Sequence, residues 1–451
     1  MSLKFRFVYI SVFFTGVLLS ACMRSGTKDV TAKMEEYMRA LEKLHQFSGS
    51  VLVAKDGRPL IRRGYGMADF EWAAPNQPNT KFRIGSITKQ FTSMAIMMLQ
   101  ERGQLSVRDR MCKYVAGCPA SWQPITIDQL LTHTSGIPDF TDFQDYKRIE
   151  RFPITPEALV NSFKDKPLDF PPGAKFSYSN SGYAVLGLII EQVSHRSYSV
   201  FLKEEIFTPL GMKDSGYDSN DEIIEHRASG YVRKSGAIRN ATYIDMTVPY
   251  AAGGLYSTVE DLLRWDQALY TEKLVSQKSL TAMFTPHVAI AGYGWAIETQ
   301  FGRKMISHEG GIEGFVSKIA RFPDEHTTII VLSNLETAAI TKISKDLAAI
   351  VFGEKYELPH EQQFIHMDPA KLNRYAGRYQ VQEAPDVIVT ISVKGQSLLF
   401  GVQGESLVLR PESETKFEPE DGSAQVEFVE DAAHNVTSLI FNGQFKAKKL
   451  Q

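Results

Sequence analysis

Cysteine is almost absent from this sequence, which contains only Cys22, Cys112 and Cys118 among its 451 residues. No Cys or His spacing typical of a metal site occurs, so we expect neither a metal ion nor another cofactor. Charge of one sign is lacking as well: the formal net charge is -2 and no basic run occurs, which argues against nucleic acid as a partner. A chain that is 43% hydrophobic can bury a large core, and its length predicts two domains.

Long apolar runs are also rare, and the one at the N-terminus, from Phe7 to Leu19, follows Lys4 and Arg6. It is too short to span a bilayer comfortably and has the length typical of a signal peptide. The segment Leu19-Ser20-Ala21-Cys22 resembles a bacterial lipoprotein box, which implies cleavage before Cys22 and lipidation of that cysteine. The protein is then expected on a membrane of the bacterial cell envelope, facing the periplasm or the exterior. Ordinary signal cleavage beside an incidental cysteine is the alternative.

The two remaining cysteines, Cys112 and Cys118, are close together in the sequence. In an exported protein such a pair can close a small disulfide loop, and two buried thiols are the alternative.

Strand-like and helical patterns alternate after the N-terminal segment. An amphipathic helix is predicted over Val30–Leu44, and the runs Ser50–Lys55 and Leu60–Tyr65 flank Asp56-Gly57, a hairpin turn signal. Short turns join four later runs, which therefore predict an antiparallel sheet: Gly294–Thr299, Lys304–His308, Phe315–Phe322 and Thr327–Leu332. A helix over Ala338–Val351 can pack on that sheet.

Beyond this region the sequence turns polar and then shows only short alternating runs, which predict a small all-β, barrel-like domain. The predicted organisation is a signal peptide (1–21), a tether (22–29), a mixed α and β domain (30–352), a linker (353–369) and the β domain (370–451).

Ser-x-x-Lys occurs three times, and only Ser86-Ile87-Thr88-Lys89 opens an apolar-faced helix. The other matches, Ser25 to Lys28 and Ser413 to Lys416, lie in the tether and in an acidic turn of the β domain. Residues three apart on a helix share one face, so Ser86 and Lys89 can meet. A lysine shielded from water can lose its proton near neutral pH and act as a base for a neighbouring hydroxyl.

Two further motifs follow in order. Tyr178-Ser179-Asn180 is the only Tyr-x-Asn sequence and lies on a loop before a predicted helix. His308-Glu309-Gly310-Gly311 follows one strand and precedes another, whereas Lys234-Ser235-Gly236 lies in a polar, basic turn. We therefore take His308 as the third motif. His133, among small capping residues, is interpreted as a loop-fastening residue rather than a base.

These three motifs in this order resemble those of the serine β-lactamase and penicillin-binding protein superfamily, closest to its class C, DD-peptidase, D-aminopeptidase and esterase branch. The resemblance covers about Ser48 to Val351. It implies an α+β fold, a β-lactamase/transpeptidase-like antiparallel sheet flanked by helices with an all-α subdomain.

The resemblance also implies roles for the motif residues. Ser86 is the nucleophile that forms an acyl-enzyme, and Lys89 and Tyr178 share the proton transfers. Asn180 binds the substrate amide and Lys89, His308 and Gly310 line the substrate pocket, and the backbone N–H groups of Ser86 and Gly311 form the oxyanion hole.

Lys89 and Tyr178 each need a pKa below the usual value of about 10 if they are to act as bases near pH 7. We expect burial to lower the pKa of Lys89, and a nearby cation to lower that of Tyr178. Gly85 and Gly310 are expected to leave room for the substrate to approach the backbone.

The histidine at position 308 replaces the lysine of most β-lactamases and binds a substrate carboxylate less reliably at neutral pH. It therefore favours peptide or ester hydrolysis over antibiotic hydrolysis. We expect a serine hydrolase that acts through Ser86 on D-amino acid peptides, peptidoglycan fragments or short esters. A class C-like β-lactamase and a non-catalytic penicillin-binding-type lipoprotein are the alternatives. The expected partners are a small-molecule or peptide acyl substrate and, through the lipid, a membrane.

Overall fold

The structure is a computed structural model that describes residues 28–234, 237–361, 363–382, 387–402, 405–419, 425–441 and 445–450. Cys22, Ser25, Ser235 and Gly236, named above, lie outside the described residues. Within these ranges, no helix has both the length and the apolar character needed to cross a membrane.

Helices and strands follow one another in short segments. The helices are α1 (28–43), α2 (Thr88–Glu101), α3 (Ile127–Leu131), α4 (Tyr146–Ile149), α5 (Pro156–Asn161), α6 (Asn180–Ser194), α7 (Tyr198–Leu202), α8 (Thr208–Leu210), α9 (Tyr250–Gly253), α10 (Val259–Ala268), α11 (Gln277–Met283), α12 (Ile340–Phe352) and α13 (Pro369–Leu372). The strands of the first domain are β1 (Gly49–Lys55), β2 (Arg58–Tyr65), β3 (Met67–Asp69), β4 (Ala74–Pro75), β5 (Phe82–Arg83), β6 (Gly216–Tyr217), β7 (Tyr231–Lys234), β8 (Ala237–Asn240), β9 (Leu255–Ser257), β10 (Ala296–Gln300), β11 (Arg303–Ile312), β12 (Phe315–Phe322) and β13 (Thr327–Ser333). Those of the second are β14 (Gly377–Val381), β15 (Ile388–Lys394), β16 (Ser397–Val402), β17 (Glu405–Pro411), β18 (Lys416–Glu418), β19 (Val426–Glu430), β20 (Val436–Phe441) and β21 (Phe445–Lys449).

A six-stranded antiparallel sheet, in the order β10-β11-β12-β13-β1-β2, forms the centre of the first domain. The predicted turn between β1 and β2 is confirmed, because Asp56 and Gly57 both have the positive φ that a tight hairpin turn requires. β1 pairs with β13 on its other side, so the start and the end of this domain share one sheet.

The sheet is buried on both faces. Leu52 and Leu332 pack into the larger core around α2, whereas Val51 and Val331 pack into a second core with α1 and α12. Successive side chains of a strand point to opposite faces, so helices on both sides are needed to cover these continuous apolar runs. The predicted α+β fold is confirmed.

The helix that begins after Ser86 is more deeply buried than its apolar period indicates. A short 3-10 turn, Gly85–Ile87, leads into α2, and every residue from Thr88 to Leu99 is buried. Because α2 is enclosed by the sheet and by helices that include α6 and α9, Lys89 is 0% exposed.

The C-terminal domain is a closed barrel of eight antiparallel strands, β14 to β21, filled by its own apolar core. The predicted small barrel-like domain is therefore confirmed. Helix α12 ends at Phe352, where Gly353 takes the left-handed conformation common after a helix.

The structure joins Cys112 and Cys118 by a disulfide, with their Cα atoms 5.4 Å apart. The loop lies beyond the end of α2, and both side chains pack against the larger core.

Candidate active site

The backbone that carries Ser86 is held between two strands. The Ile84 N–H donates to Leu255 O at 2.9 Å, and Ser317 Oγ donates to Ile84 O at 2.8 Å. A Cβ on Gly310 would lie 2.0 Å from Ile84 O, and one on Gly85 would lie 2.9 Å from Gly311 N. The structure therefore differs from the expectation for Gly85 and Gly310: the room that they leave is filled by each other's backbone segments, not by substrate.

Lys89 makes three polar contacts through Nζ. Its partners are Ser86 Oγ at 2.9 Å, Asn180 Oδ1 at 2.8 Å and the Ala252 carbonyl at 2.8 Å. Amide and carbonyl oxygens can only accept hydrogen bonds, so a neutral amine gives its two N–H groups to them and directs its lone pair to the Ser86 hydroxyl. Burial lowers the pKa of Lys89 to about 7, against an opposing effect of Asp139.

Asp139 fixes the orientation of the Asn180 amide. One carboxylate oxygen accepts from both Asn180 Nδ2, at 2.9 Å, and Asn180 N, at 3.0 Å. Because a carboxylate only accepts, the amide nitrogen must face Asp139 and Oδ1 must face Lys89. Asp139 and the Ala252 carbonyl belong to none of the three sequence motifs and were not predicted as site residues. His133, six residues before Asp139, is the one residue of this loop that the sequence pattern indicated.

Tyr178 lies beside Ser86 and Lys89, but its pKa is shifted upward, in the direction opposite to that of Lys89. Burial raises its pKa, and a hydrogen bond with Ser86 only partly offsets that effect. The expectation of a lowered pKa is therefore wrong for Tyr178 and holds for Lys89. The reason is that a lysine with a pKa near 7 is not a fixed cation that could stabilise a phenolate.

His133 fastens the loop that carries Tyr178. Its Nδ1 accepts from Ser179 N at 3.1 Å, its carbonyl accepts from Ser177 N at 2.9 Å, and its ring stacks on Tyr178 at 4.4 Å between centroids. Burial, and then the charges of Lys89 and His308, hold its pKa well below the usual value. The loop-fastening interpretation is confirmed, and Ser179 is the N-cap of α6.

His308 lies on β11, with its ring centroid 6.4 Å from that of Tyr178. Its Nδ1 is 2.5 Å from Glu309 O, and burial followed by the charge of Lys89 lowers its pKa to about 4. His308 is therefore neutral at pH 7. The neighbouring cation, Lys318, is bonded to Glu309 at 2.6 Å.

The sequences around Ser413 and Lys234, which resemble the first and third motifs, lie outside the group of side chains around Lys89. Ser413 Oγ accepts the Lys416 N–H in a turn of the barrel, and Lys234 lies at the exposed end of the β7–β8 hairpin. The described residues hold no group of three or more His, Cys, Asp or Glu side chains that could bind a metal ion.

The six-stranded sheet, the helices around it and the buried serine–lysine pair define the β-lactamase/transpeptidase fold. The chain belongs to the beta-lactamase family, whose sequence profile matches residues 30–349.

Some known proteins match about nine-tenths of this chain, and others match about seven-tenths of it. Penicillin-binding protein 4* of Bacillus subtilis (strain 168) is 32% identical over 432 residues, which cover 89% of this chain and 94% of that protein. The putative penicillin-binding protein PbpX of the same strain is 32% identical over 314 residues, which cover 69% of this chain and 76% of that protein. Among solved structures, an octameric penicillin-binding protein homologue from Pyrococcus abyssi has a TM-score of 0.65 at 28% identity and covers 93% of this chain and 99% of that one. A D-stereospecific amidohydrolase from Streptomyces sp. has a TM-score of 0.61 at 25% identity and covers 71% and 99%.

Proposed function

We propose that this protein is a serine hydrolase that cleaves amide, peptide or ester bonds through an acyl-enzyme on Ser86. The observation that carries the proposal is the environment of Lys89, whose two acceptor partners leave its lone pair to Ser86 Oγ. A pKa of about 7 makes a large fraction of this amine available as a base at neutral pH.

The contacts support an order of proton transfers. Ser86 Oγ bonds to the substrate carbonyl carbon while its proton passes to Lys89 Nζ, and the resulting oxyanion accepts from the N–H groups of Ser86 and Gly311. Tyr178, neutral because its pKa is raised, gives its proton to the departing nitrogen or oxygen and regains one from Lys89. Water then attacks the acyl carbonyl and loses a proton to Lys89, which passes it to Ser86 Oγ as the acyl–oxygen bond breaks and the acid leaves.

The substrate class proposed is D-amino acid peptides or amides, peptidoglycan fragments, or short esters. The solved relatives include a D-stereospecific amidohydrolase, and the curated relatives include two penicillin-binding proteins. His308 is neutral at pH 7 and cannot hold a substrate carboxylate by charge, which favours amide or ester turnover over rapid β-lactam turnover.

Intact-protein mass after incubation with a penicillin or a fluorophosphonate tests the acyl-enzyme. We expect one adduct in the wild type and in Ser413→Ala, a matched control from another Ser-x-x-Lys sequence, and none in Ser86→Ala. Absence of any adduct would favour the non-catalytic binding protein.

Substrate class is tested with D-Ala-D-Ala peptides, D-aminoacyl amides, short acyl esters and a chromogenic cephalosporin. Rapid cephalosporin turnover that is lost in Ser86→Ala would put the class C-like β-lactamase first.

We also propose that Cys22 carries a lipid that anchors the protein to a membrane of the cell envelope. Support comes only from the sequence around Leu19-Ser20-Ala21-Cys22. Cys22→Ser should move the protein from the membrane to the soluble fraction, and retention on the membrane would contradict the anchor.

A further inference from the structure

A cleft of about 530 Å³ opens beside the strand that leads to Ser86. We call it the arginine cleft, and its lining includes Arg83, Arg227, Tyr243, Glu313 and Phe315. None of these residues belongs to the three motifs. Their charges and positions indicate what the cleft can bind.

Two guanidinium groups of the cleft share one buried carboxylate. Asp218 is 0% exposed and binds Arg83 Nε at 2.7 Å and Arg227 Nη1 at 2.5 Å. Arg83 and Arg227 remain 13% and 25% exposed, so both reach the surface of the cleft. Two positive charges over one negative charge leave an excess of one, and guanidinium N–H groups are suited to bind a carboxylate.

Two acidic side chains, Glu313 and Glu222, also line the cleft, but neither is paired with its arginines. Glu313 is paired with Lys147 at 3.1 Å, and the same lysine is 3.2 Å from Glu150. Glu222 lies at the exposed rim, where water screens its charge. Arg83 and Arg227 are the two cationic side chains among the lining residues, so a carboxylate would bind where both reach Asp218.

Arg83 and Phe315 connect the arginine cleft to the segments that carry Ser86 and Gly311. Arg83 precedes Ser86 by three residues, which places their Cα atoms within about 10 Å of each other. Its guanidinium carbon is 5.9 Å from the centre of the Phe315 ring, and Phe315 pairs with Ile312, next to Gly311 of the oxyanion hole.

Two apolar side chains lie beside Glu222 at the rim of the cleft. Ile223 is 97% exposed and Tyr243 is 51% exposed, so both can cover an aliphatic chain that passes from Ser86 to the arginines.

We propose that the arginine cleft is a substrate subsite that binds a carboxylate at the end of an apolar arm of the acyl group. This inference rests on the proposed function, because the arm is delivered by an acyl donor of Ser86. It also assigns Arg83 and Arg227 as the positive charges that bind a substrate carboxylate, since His308 is neutral at pH 7.

Pairs of p-nitrophenyl esters that differ only in the terminal carboxylate test the subsite: the half-esters of adipate, suberate and sebacate against the hexanoate, octanoate and decanoate esters. For at least one chain length, wild-type kcat/KM should be about tenfold higher for the half-ester. Arg227→Gln should abolish this preference and Arg227→Lys should retain part of it. Arg303→Gln, an arginine of similar exposure paired with Glu325 and Glu354 outside the cleft, should keep it fully.

A binding measurement separates this inference from the proposed function. Free suberate, titrated calorimetrically into Ser86→Ala, should bind, and Arg227→Gln in the same background should weaken binding about tenfold or more. Absence of hydrolysis together with arginine-dependent suberate binding would overturn the proposed function and leave the subsite standing. Equal rates for charged and uncharged esters at every length would overturn the subsite. Equal suberate binding by Ser86→Ala and by the Ser86→Ala, Arg227→Gln double variant would overturn it as well.

Discussion

Asp139 holds Asn180 by two hydrogen bonds, from the backbone N–H at 3.0 Å and from the side-chain amide at 2.9 Å. This one carboxylate affects the surroundings of Ser86 through two other residues, Asn180 and Lys89. It turns Asn180 Oδ1 toward Lys89, and its charge raises the pKa of Lys89 against the larger effect of burial. Through Asn180 and through its charge, Asp139 thus positions the proposed base and tunes its protonation.

Replacing Asp139 with asparagine should therefore change the pH profile of the enzyme. Without the negative charge the pKa of Lys89 falls, so the acidic limb of kcat/KM should move to lower pH. The maximal rate should fall, because the Asn180 amide is no longer fixed in one orientation. A profile of kcat/KM between about pH 5 and pH 9 checks both effects. A lower rate with an unshifted limb would assign Asp139 a purely structural role.

Lys89 should set the pH dependence of the wild-type enzyme. The base must be neutral to accept the Ser86 proton, so kcat/KM should rise with pH and level off above pH 7, since the pKa of Lys89 is about 7. Lys89→Met, which fits a buried position, should lower kcat/KM by about 10³-fold and remove this limb. Lys81→Met, at a lysine paired with Asp214 outside the site, should retain it. A limb that persisted in Lys89→Met would contradict the assignment.

Tyr178 should affect the rate without setting that limb. Because burial raises its pKa, the phenol stays protonated throughout the neutral range. Tyr178→Phe keeps a ring that can stack on His133 and removes only the proposed proton donor. We expect kcat/KM to fall by about 10²-fold while the limb near pH 7 remains. Loss of the limb in Tyr178→Phe would identify Tyr178, not Lys89, as the base.

The sequence predicted the elements that depend on local pattern. The Asp56-Gly57 turn and the strand Phe315–Phe322 follow from turn chemistry and alternation, and both are confirmed. The helix predicted from Ala338 forms as α12, but it begins two residues later, at Ile340. The three motifs, each defined by its spacing, are brought together around Lys89.

The tertiary contacts of the site could not be predicted in this way. The Ala252 carbonyl that accepts from Lys89 is 163 residues away from it in sequence, and a backbone carbonyl carries no side-chain signal. The pKa of Tyr178 was misjudged for a related reason: its sign depends on whether burial or a neighbouring charge dominates, and only packing decides that.

Two adjacent glycines of β11 should respond differently to the same substitution. A Cβ on Gly310 would lie 2.0 Å from Ile84 O and 2.5 Å from Ser317 Oγ, whereas one on Gly311 would meet nothing within 4 Å. Gly310→Ala must therefore push β11 away from the segment that carries Ser86. We expect a loss of about 2 kcal/mol in the free energy of unfolding and, since the nucleophile moves relative to the Gly311 N–H, a fall in kcat of about 10²-fold.

Gly311→Ala is the matched control for stability, because its Cβ enters open space. Its midpoint of thermal unfolding should stay near that of the wild type, while Gly310→Ala should unfold several degrees lower. Calorimetry of the two variants and single-turnover acylation of Gly310→Ala measure these effects. Equal unfolding midpoints for the two variants would show that β11 and the Ile84 carbonyl can separate at no cost, and the close approach at Gly310 would then not be what positions Ser86.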